Sequence, residues 1–260
     1  MDGGSKRMQT DSLKETPSRG PRRETLIQDV LSRGIRGCKD LEAKEEFLQE
    51  ELHIPGEWIA DAKASLAAAR REYIDQAWFL LKAKRWNPAH DVLIKHIAPD
   101  AIINEDYDFL HKVLGELADN DPLTHVSGWS LSGQILYDFL NVDADVKALK
   151  RILEGEEKKG SLESLIDKLK PKVISLCGRI SKLRTETAKE RLCQSEIAKR
   201  MAYLMRAVLT ADASLGGAAS RAQASRILAE TLCQLPLPDD YALQELRNLT
   251  KNYMLEIMEH

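Results

Sequence analysis

The sequence lacks the long apolar segments that membrane-spanning proteins carry. No run among its 260 residues approaches the roughly 18 apolar residues that a helix needs to cross a bilayer. Its N-terminus has no apolar core of the kind found in signal peptides. Basic residues are not in excess either, because the formal net charge is −3 and the pI is near 6.1. Since no net positive field draws the chain toward nucleic acid or anionic lipid, we expect no nucleic-acid partner and no direct membrane insertion.

Cysteine is scarce, and its spacing forms no recognisable motif. The chain has four cysteines, and no two of them show the two-residue spacing of a zinc knuckle or a redox site. They are Cys38, Cys177, Cys193 and Cys233. Free cysteines are mostly buried, so we predict reduced thiols and a reducing compartment, the nucleus or the cytoplasm.

Strand signals are missing, whereas helical spacing is abundant. No segment alternates apolar and polar residues for long, and runs of β-branched residues are absent. Apolar residues instead recur at intervals of three and four, which places them on one face of a helix. Four such stripes stand out: Ile135, Phe139, Val142, Val146, Leu149 and Leu153; Leu162, Ile166, Leu169, Val173, Cys177 and Ile180; Ile197, Met201, Leu204, Met205 and Val208; and Ala242, Leu246, Leu249, Tyr253 and Ile257.

These stripes predict an all-α protein of about nine to eleven helices. Because the helices are amphipathic and no strict internal repeat occurs, we expect an irregular α-solenoid of antiparallel helix pairs. Residues 77–98 are typical of such a pair, with Trp78 and Leu81 leading into Leu93 and Ile97.

Proline, glycine and polar runs predict where these helices begin and end. Pro171 should kink or break the second stripe, and Ser161 is placed as that helix's N-cap. Residues 154–160 read as a polar link, and the glycine-containing stretch near 212–220 as a flexible loop. Residues 1–23 carry almost no large apolar side chains, so we predict a disordered tail followed by one helical domain at 24–260.

A histidine-rich segment, residues 86–111, is the strongest candidate for chemistry. His90 and His96 are six residues apart, so on one helix they point roughly 240° apart and cannot share a metal ion. His90 shares a face with Ile94 and Ile97, which favours a structural imidazole bonded to a neighbour. The GWSLSG stretch, 128–133, lacks the strand and glycine spacing of a nucleophile elbow, and Ser130 or Ser132 is a better helix cap. We therefore expect no catalytic residue, no metal and no cofactor.

Methionine and tyrosine on two long helices are the candidates for partner contact. The helix at 188–209 carries Met201, Tyr203 and Met205, and the last helix carries Tyr253 and Met254. Methionine adapts to partner surfaces, and tyrosine is a favoured interface anchor. The alternative is that these side chains are ordinary core residues, and the sequence leaves both interpretations open.

Five blocks of the sequence resemble a known protein family, which composition and spacing alone do not identify. They are LHIPGEWIADAKA (52–64), HIAPDAIINEDYDFL (96–110), KVISLCGRI (172–180), AKERLCQSEIAKRMAYLMRAVL (188–209) and LPLPDDYALQELRNLTKNYMLEI (235–257). In the same order, they closely resemble the C-terminal part of the ninety-six-kilodalton nucleoporin family of nuclear pore proteins. The resemblance runs from about Glu24 to the end of the chain, with no counterpart placed for residues 1–23 or for the stretch near 212–220.

The resemblance implies a structural role rather than catalysis. Members of that family are helical subunits of the Y-shaped outer-ring complex of the nuclear pore, with a fold that vesicle-coat proteins share. By this resemblance residues 24–128 correspond to the end of the trunk and 129–260 to the tail, which joins other helical nucleoporins at the hub of the Y. The expected location is the nuclear pore complex of the nuclear envelope, and the expected role is support of mRNA and protein transport.

Two interpretations of this role stay open. Upstream parts that complete a small β-propeller and grip the long-arm nucleoporin are not found in the sequence, so we expect neither contact here. The chain then reads either as a fragment or as a shortened paralogue. The main alternative to a pore scaffold is a helical adaptor of a vesicle coat or another non-pore assembly.

Overall fold

A computed structural model describes residues 21–36, 41–120, 122–155, 159–216 and 218–258. Within these ranges the structure is all-α, with no strand, so the predicted fold class is confirmed. The first half contains α1 Pro21–Arg36, α2 Leu41–Glu50, α3 Gly56–Arg70, α4 Tyr73–Lys82, α5 Trp86–Val92, α6 Ala98–Ile103, α7 Tyr107–Asp119 and α8 Pro122–His125. The second half contains α9 Gly133–Glu154, α10 Lys159–Ile180, α11 Ala188–Leu215, α12 Ala218–Leu232 and α13 Asp239–Met258. The described part thus holds more helices than the nine to eleven predicted, because several short helices lie between 86 and 125.

The helix pair predicted at 77–98 is present as α4 and α5, which pack against each other. A π-helical segment, Leu93–Ile97, joins α5 to α6. Pro99 is the second residue after it, and proline cannot donate a hydrogen bond to the carbonyl of Lys95. A widened π turn is one way in which a helix accommodates such a missing bond, and nothing in the apolar pattern indicated it.

Helix α11 forms the middle of the main core. It packs against α10 and α12, its neighbours in sequence, and also against α9 and the much earlier α6. Short connections place α3 beside α4 and α9 beside α10, as antiparallel pairs require. The contact between α6 and α11 shows that the chain also folds back on itself, so the solenoid detail of the prediction stays a prediction.

Three of the four predicted apolar stripes form the buried faces of their helices. The stripe on α10 and the stripe on α11 are buried throughout, and the stripe on α9 is buried except for its last member, Leu153. A smaller apolar cluster joins α1 to α3 through Leu31, Ile35 and Ile59. In the fourth stripe, on α13, Leu249 packs against the core. The prediction is wrong at Leu246, which is exposed while Glu245 is buried, and the side chains of Tyr253 and Ile257 lie outside the described ones.

Several predicted boundaries need correction. Helix α1 begins at Pro21, inside the predicted tail, and residues 1–20 lie outside the described part of the chain. Helix α10 begins at Lys159, so Ser161 lies within it rather than at its N-cap, and the helix continues through Pro171 without a break. The predicted loop near 212–220 is mostly helical, since alanine and serine are compatible with a helix. Its break falls at Gly216, whose N–H donates to the Asp212 carbonyl.

Candidate partner-docking surface

The long helix α11 begins at a complete capping box. The Thr187 hydroxyl accepts a hydrogen bond from the Glu190 N–H at 3.2 Å, and the Glu190 carboxylate accepts one from the Thr187 N–H at 2.8 Å. The backbone hydrogen bond from Thr187 is the main cause that lowers the pKa of Glu190. This cap fixes where α11 starts, and therefore which of its side chains face the core and which face outward.

Met201 and Met205 lie in the core. Both are fully buried, on the same face of α11 as Ile197 and Val208. A buried methionine cannot contact a partner unless the helices that cover it separate. Of the two interpretations left open by the sequence, the structure supports the core interpretation for these two residues.

Tyr203 lies on the outer face of the same helix. Its side chain is 39% exposed, and its ring is flanked by the Lys150 ammonium at 4.2 Å and the Arg200 guanidinium at 5.0 Å from the centroid. Lys150 also donates a hydrogen bond to the Tyr203 hydroxyl. Cation–π contacts of this kind hold an aromatic ring in place at the surface, so the Tyr203 ring has a fixed position there.

A buried carboxylate, that of Asp143, binds the Arg200 side chain that flanks Tyr203. Asp143 of α9 is 2% exposed and receives Arg200 Nε at 2.7 Å on Oδ1 and Lys147 Nζ at 2.8 Å on Oδ2. Buried charges are tolerated in proteins when they are paired in this way. Burial, followed by the nearby charge of Asp143, raises the pKa of Tyr107 to about 12. The network fixes Arg200, and through it the ring of Tyr203.

Helix α13 has one face packed and the opposite face exposed. Its packed face includes Tyr241 and Leu249, together with Glu245, which is buried and forms an ion pair with Arg206 of α11. The opposite face is exposed and carries large apolar side chains, with Leu243 at 55% and Met254 at 59%. The side chain of Tyr253, another candidate, lies outside the described side chains.

We call the exposed apolar side chains Leu243, Leu246 and Met254 the α13 stripe; the polar residues Arg247 and Thr250 are exposed between them on the same face. Sequence reasoning identified Met254 in this row but missed Leu243 and took Leu246 for core. The row follows from the ion pair between the buried Glu245 and the partly exposed Arg206, since Glu245 faces the core and Leu246 then faces outward. That pairing joins two helices, and no single-helix pattern contains it.

The histidines have structural roles, as the sequence predicted. The buried His90 ring lies 3.1 Å through Nε2 from the Ser132 hydroxyl, and burial is the main cause that lowers its pKa, opposed by the charge of Asp91. His96 instead stacks on Tyr73, with ring centroids 3.9 Å apart. The two imidazoles thus contact different neighbouring side chains. Ser132 is the N-cap residue of α9, one of the two predicted positions, whereas Ser130 lies within the preceding turn, Trp129–Leu131. The predicted side-chain cap is wrong, because the Ser132 hydroxyl donates to the Gly128 carbonyl instead.

The described part of the chain also carries free thiols. Cys177 and Cys193 are buried, and Cys233 is exposed, while Cys38 lies outside the described residues. Burial raises the pKa of both the Cys177 and the Cys193 thiol to about 12. Among the described helices, none is long and apolar enough to cross a bilayer.

Comparison with known proteins identifies relatives along most of the chain. Residues 14–66 match the family model described as nuclear protein 96, Nup96. The match starts inside the predicted tail, for which the sequence had suggested no counterpart.

Curated relatives extend this match. The Drosophila melanogaster nuclear pore complex protein Nup98-Nup96 is 37% identical over 228 residues, covering 86% of this chain and 11% of that protein. The Dictyostelium discoideum protein of the same name is 24% identical over 212 residues, covering 78% of this chain and 10% of that protein. Nucleoporin nup189 of Schizosaccharomyces pombe is 32% identical over 120 residues, covering 46% of this chain and 6% of that protein. The chain therefore spans about a tenth or less of the length of these relatives. By sequence, the chain is a Nup96 region and belongs to that nucleoporin family.

Proposed function

We propose that this chain is a structural scaffold subunit of the nuclear pore complex in the nuclear envelope. It joins other helical nucleoporins at the hub of the outer-ring Y complex and thereby supports transport of mRNA and protein. The observation that carries the proposal is the 37% identity to a nuclear pore complex protein over 86% of this chain. The proposed role is to bury surface of this chain against partner proteins, with no catalytic step and no cofactor.

The surfaces that suit this role are the outer face of α11 around Tyr203 and the α13 stripe. A standard protein interface buries about 1,600 Å² in total, and a few aromatic, methionine and arginine side chains carry most of its free energy. Leu243, Leu246 and Met254 offer exposed apolar area, and Tyr203 adds an aromatic anchor that Lys150 holds in place. The proposed partners are therefore helical proteins that present a complementary apolar row.

The first experiment tests the location and the partners together. The full chain carries a fluorescent tag in cells, and the same tag serves for affinity purification from nuclear-envelope extract with mass spectrometry. We expect a nuclear-rim signal and recovery of helical nucleoporins. Punctate cytoplasmic membranes with recovery of vesicle-coat subunits would support the adaptor alternative and contradict a pore scaffold.

The second experiment assigns the surface. The double variant Leu243→Glu with Met254→Glu places two charges on the α13 stripe, and the control Leu123→Glu with Leu131→Glu places two charges on exposed leucines elsewhere. We expect nucleoporin recovery to fall about tenfold or more with the first variant and to stay unchanged with the control. Far-UV circular dichroism should show equal helicity for both. Equal recovery from both variants would exclude the α13 stripe as the docking surface.

A further inference from the structure

A second surface lies far along the chain from the α13 stripe. The turn between α3 and α4, the π segment and the first turn of α7 together enclose a groove of about 400 Å³, which we call the α4–α7 groove. Its apolar lining includes Ile74, Ile97 and Phe109. Ile74 is 55% exposed, although its α4 neighbours Ala77 and Leu81 are buried. A concave surface lined by apolar and aromatic side chains with a few polar groups is typical of a binding site.

One wall of the groove is rigid. The His96 ring stacks on the Tyr73 ring with an interplanar angle of 5°, and both residues line the groove. Because the wall joins α4 to the π segment, the groove exists before any partner arrives. Binding to a preformed groove avoids the free energy needed to order the site.

The charges around the groove have one predominant sign. Four carboxylates line it, and Arg71 is the one full cation among its described lining residues. Of the four, Asp100 is compensated by Lys189 of α11 at 2.6 Å. The other three form no ion pair within the described residues: Glu72, Asp75 and Asp106. The groove therefore combines an apolar floor with uncompensated negative charge at its rim.

We propose that the α4–α7 groove docks a short segment of a partner protein that carries lysine or arginine beside a branched aliphatic side chain. The aliphatic side chain packs on Ile74 and Phe109, and the cation lies against Glu72 and Asp75. Charge complementarity of this kind selects the partner and increases the association rate. The proposal does not depend on the α13 stripe, so either surface can fail without the other.

Selection from a phage-displayed library of random short peptides on the immobilised full chain tests the proposal. We expect enriched peptides to combine lysine or arginine with isoleucine, leucine or valine, and to bind more weakly as salt is raised. Fluorescence anisotropy then measures the affinity of the most enriched peptide. A selection that yields no enrichment, or that yields acidic peptides, overturns the proposal.

Matched variants locate the binding. In Glu72→Lys with Asp75→Lys, we expect the peptide affinity to fall about tenfold or more. The control Glu163→Lys with Asp167→Lys makes the same charge change on an exposed face of α10 and should leave the affinity within about twofold. Ile74→Ser should weaken binding similarly, while Leu131→Ser, at a residue of almost equal exposure, should not. Equal losses from the groove and control variants overturn the assignment.

Two further measurements address other occupants of the groove. Sedimentation velocity of the full chain over a range of concentrations detects self-association. A dimer that Ile74→Ser abolishes would identify a second copy as the occupant and overturn the partner assignment. The variant Lys6→Glu with Arg7→Glu tests the chain's own basic N-terminal residues. If that variant binds the peptide more tightly than the wild type, those residues compete for the groove, and the partner assignment is overturned.

Discussion

Gly133 lies against the indole ring of Trp129, so closely that a Cβ atom on residue 133 would lie 2.3 Å from two ring carbons. Trp129 is buried, and its Nε1 donates to the Gln134 Oε1 at 2.8 Å. The His90 ring also lies close by, with its centroid 5.8 Å from that of Trp129 and its Nε2 3.1 Å from where a Cβ on residue 133 would be. Glycine at 133 thus lets the start of α9 approach the tryptophan that joins it to α5.

Replacement of this glycine should destabilise the fold. In Gly133→Ala the added methyl group forces Trp129 or the helix to move, and overpacking of this kind costs about 1–3 kcal/mol. The control is Gly115→Ala in α7, where the nearest atom would be 4.0 Å away. That change should raise stability by up to about 1 kcal/mol through helix propensity. Urea unfolding followed by circular dichroism measures both, and equal effects would contradict the packing seen at Trp129.

The buried carboxylate of Asp143 should be among the most sensitive positions. Asp143→Ala removes the buried carboxylate to which Arg200 and Lys147 both bind, and the loss of these hydrogen bonds between charged groups should cost about 1.5–3 kcal/mol. Asp145, on the same helix, pairs with Lys172 at 3.8 Å near the surface, so Asp145→Ala should cost less than about 1 kcal/mol. Urea unfolding measures the free energy of unfolding of both variants. A small loss for Asp143→Ala would show that Arg200 finds other partners.

His90 should make stability fall in mild acid. Burial lowers its pKa in the folded chain, whereas in the unfolded chain its pKa is about 6.5. The contribution of His90 to the free energy of unfolding is therefore fully present above about pH 6.5. It is lost as the pH falls, because the unfolded chain binds a proton that the folded chain does not. The slope reaches at most about 1.4 kcal/mol per pH unit.

Two variants test this slope. His90→Gln removes the imidazole, so the free energy of unfolding should depend less on pH between about pH 7 and about pH 5 than in the wild type. Ser132→Ala removes the hydrogen-bond partner but keeps His90 buried, so the slope should persist while stability falls by about 1 kcal/mol. A His90→Gln variant with the full wild-type slope would place the titration elsewhere.

Met201 and Tyr203 of α11 should contribute differently to stability and to partner binding. Met201→Ala removes a fully buried side chain and should cost about 2–5 kcal/mol. Tyr203→Ala removes a partly exposed ring with two cation–π contacts and should cost only about 1–2 kcal/mol. Thermal unfolding measures stability, and affinity purification measures binding. If Tyr203→Ala reduces nucleoporin recovery while helicity is unchanged, Tyr203 is an interface residue, whereas unchanged recovery limits it to a structural role.

Thiol labelling should separate the cysteines by burial. In the double variant Cys38→Ser with Cys233→Ser, the remaining thiols are Cys177 and Cys193, whose pKa values are raised to about 12 by burial. Since the thiolate is the reactive form, labelling by a disulfide reagent near neutral pH should be slow in the folded chain and fast in urea. Cys38→Ser alone should retain a fast phase from the exposed Cys233. Fast labelling of the folded double variant would mean that α10 and α11 separate readily.

Much of the fold follows from single-helix patterns. The stripes on α9, α10 and α11 were predicted residue by residue, because three- and four-residue spacing depends only on the geometry of one helix. The helix ends were less predictable, as Ser161 and the stretch near 212–220 show. Helix propensities differ by only a few tenths of a kcal/mol per residue, so packing against α9 and α11 decides where a helix of alanine, serine and lysine begins.

The sequence by itself determined the all-α fold class, the lack of a long apolar segment that could cross a membrane, and the helix faces that form the core. The residues of five blocks also determined its resemblance to a nucleoporin family. Only the tertiary structure decided which apolar residues stay outside. Leu246 was assigned to the core and lies on the surface, because Glu245 reaches Arg206 on another helix. Ile74 shares one groove with His96 and Asp106 only because α4, the π segment and the start of α7 pack together. A periodic pattern describes one helix at a time, whereas a docking surface depends on how several helices are placed against one another.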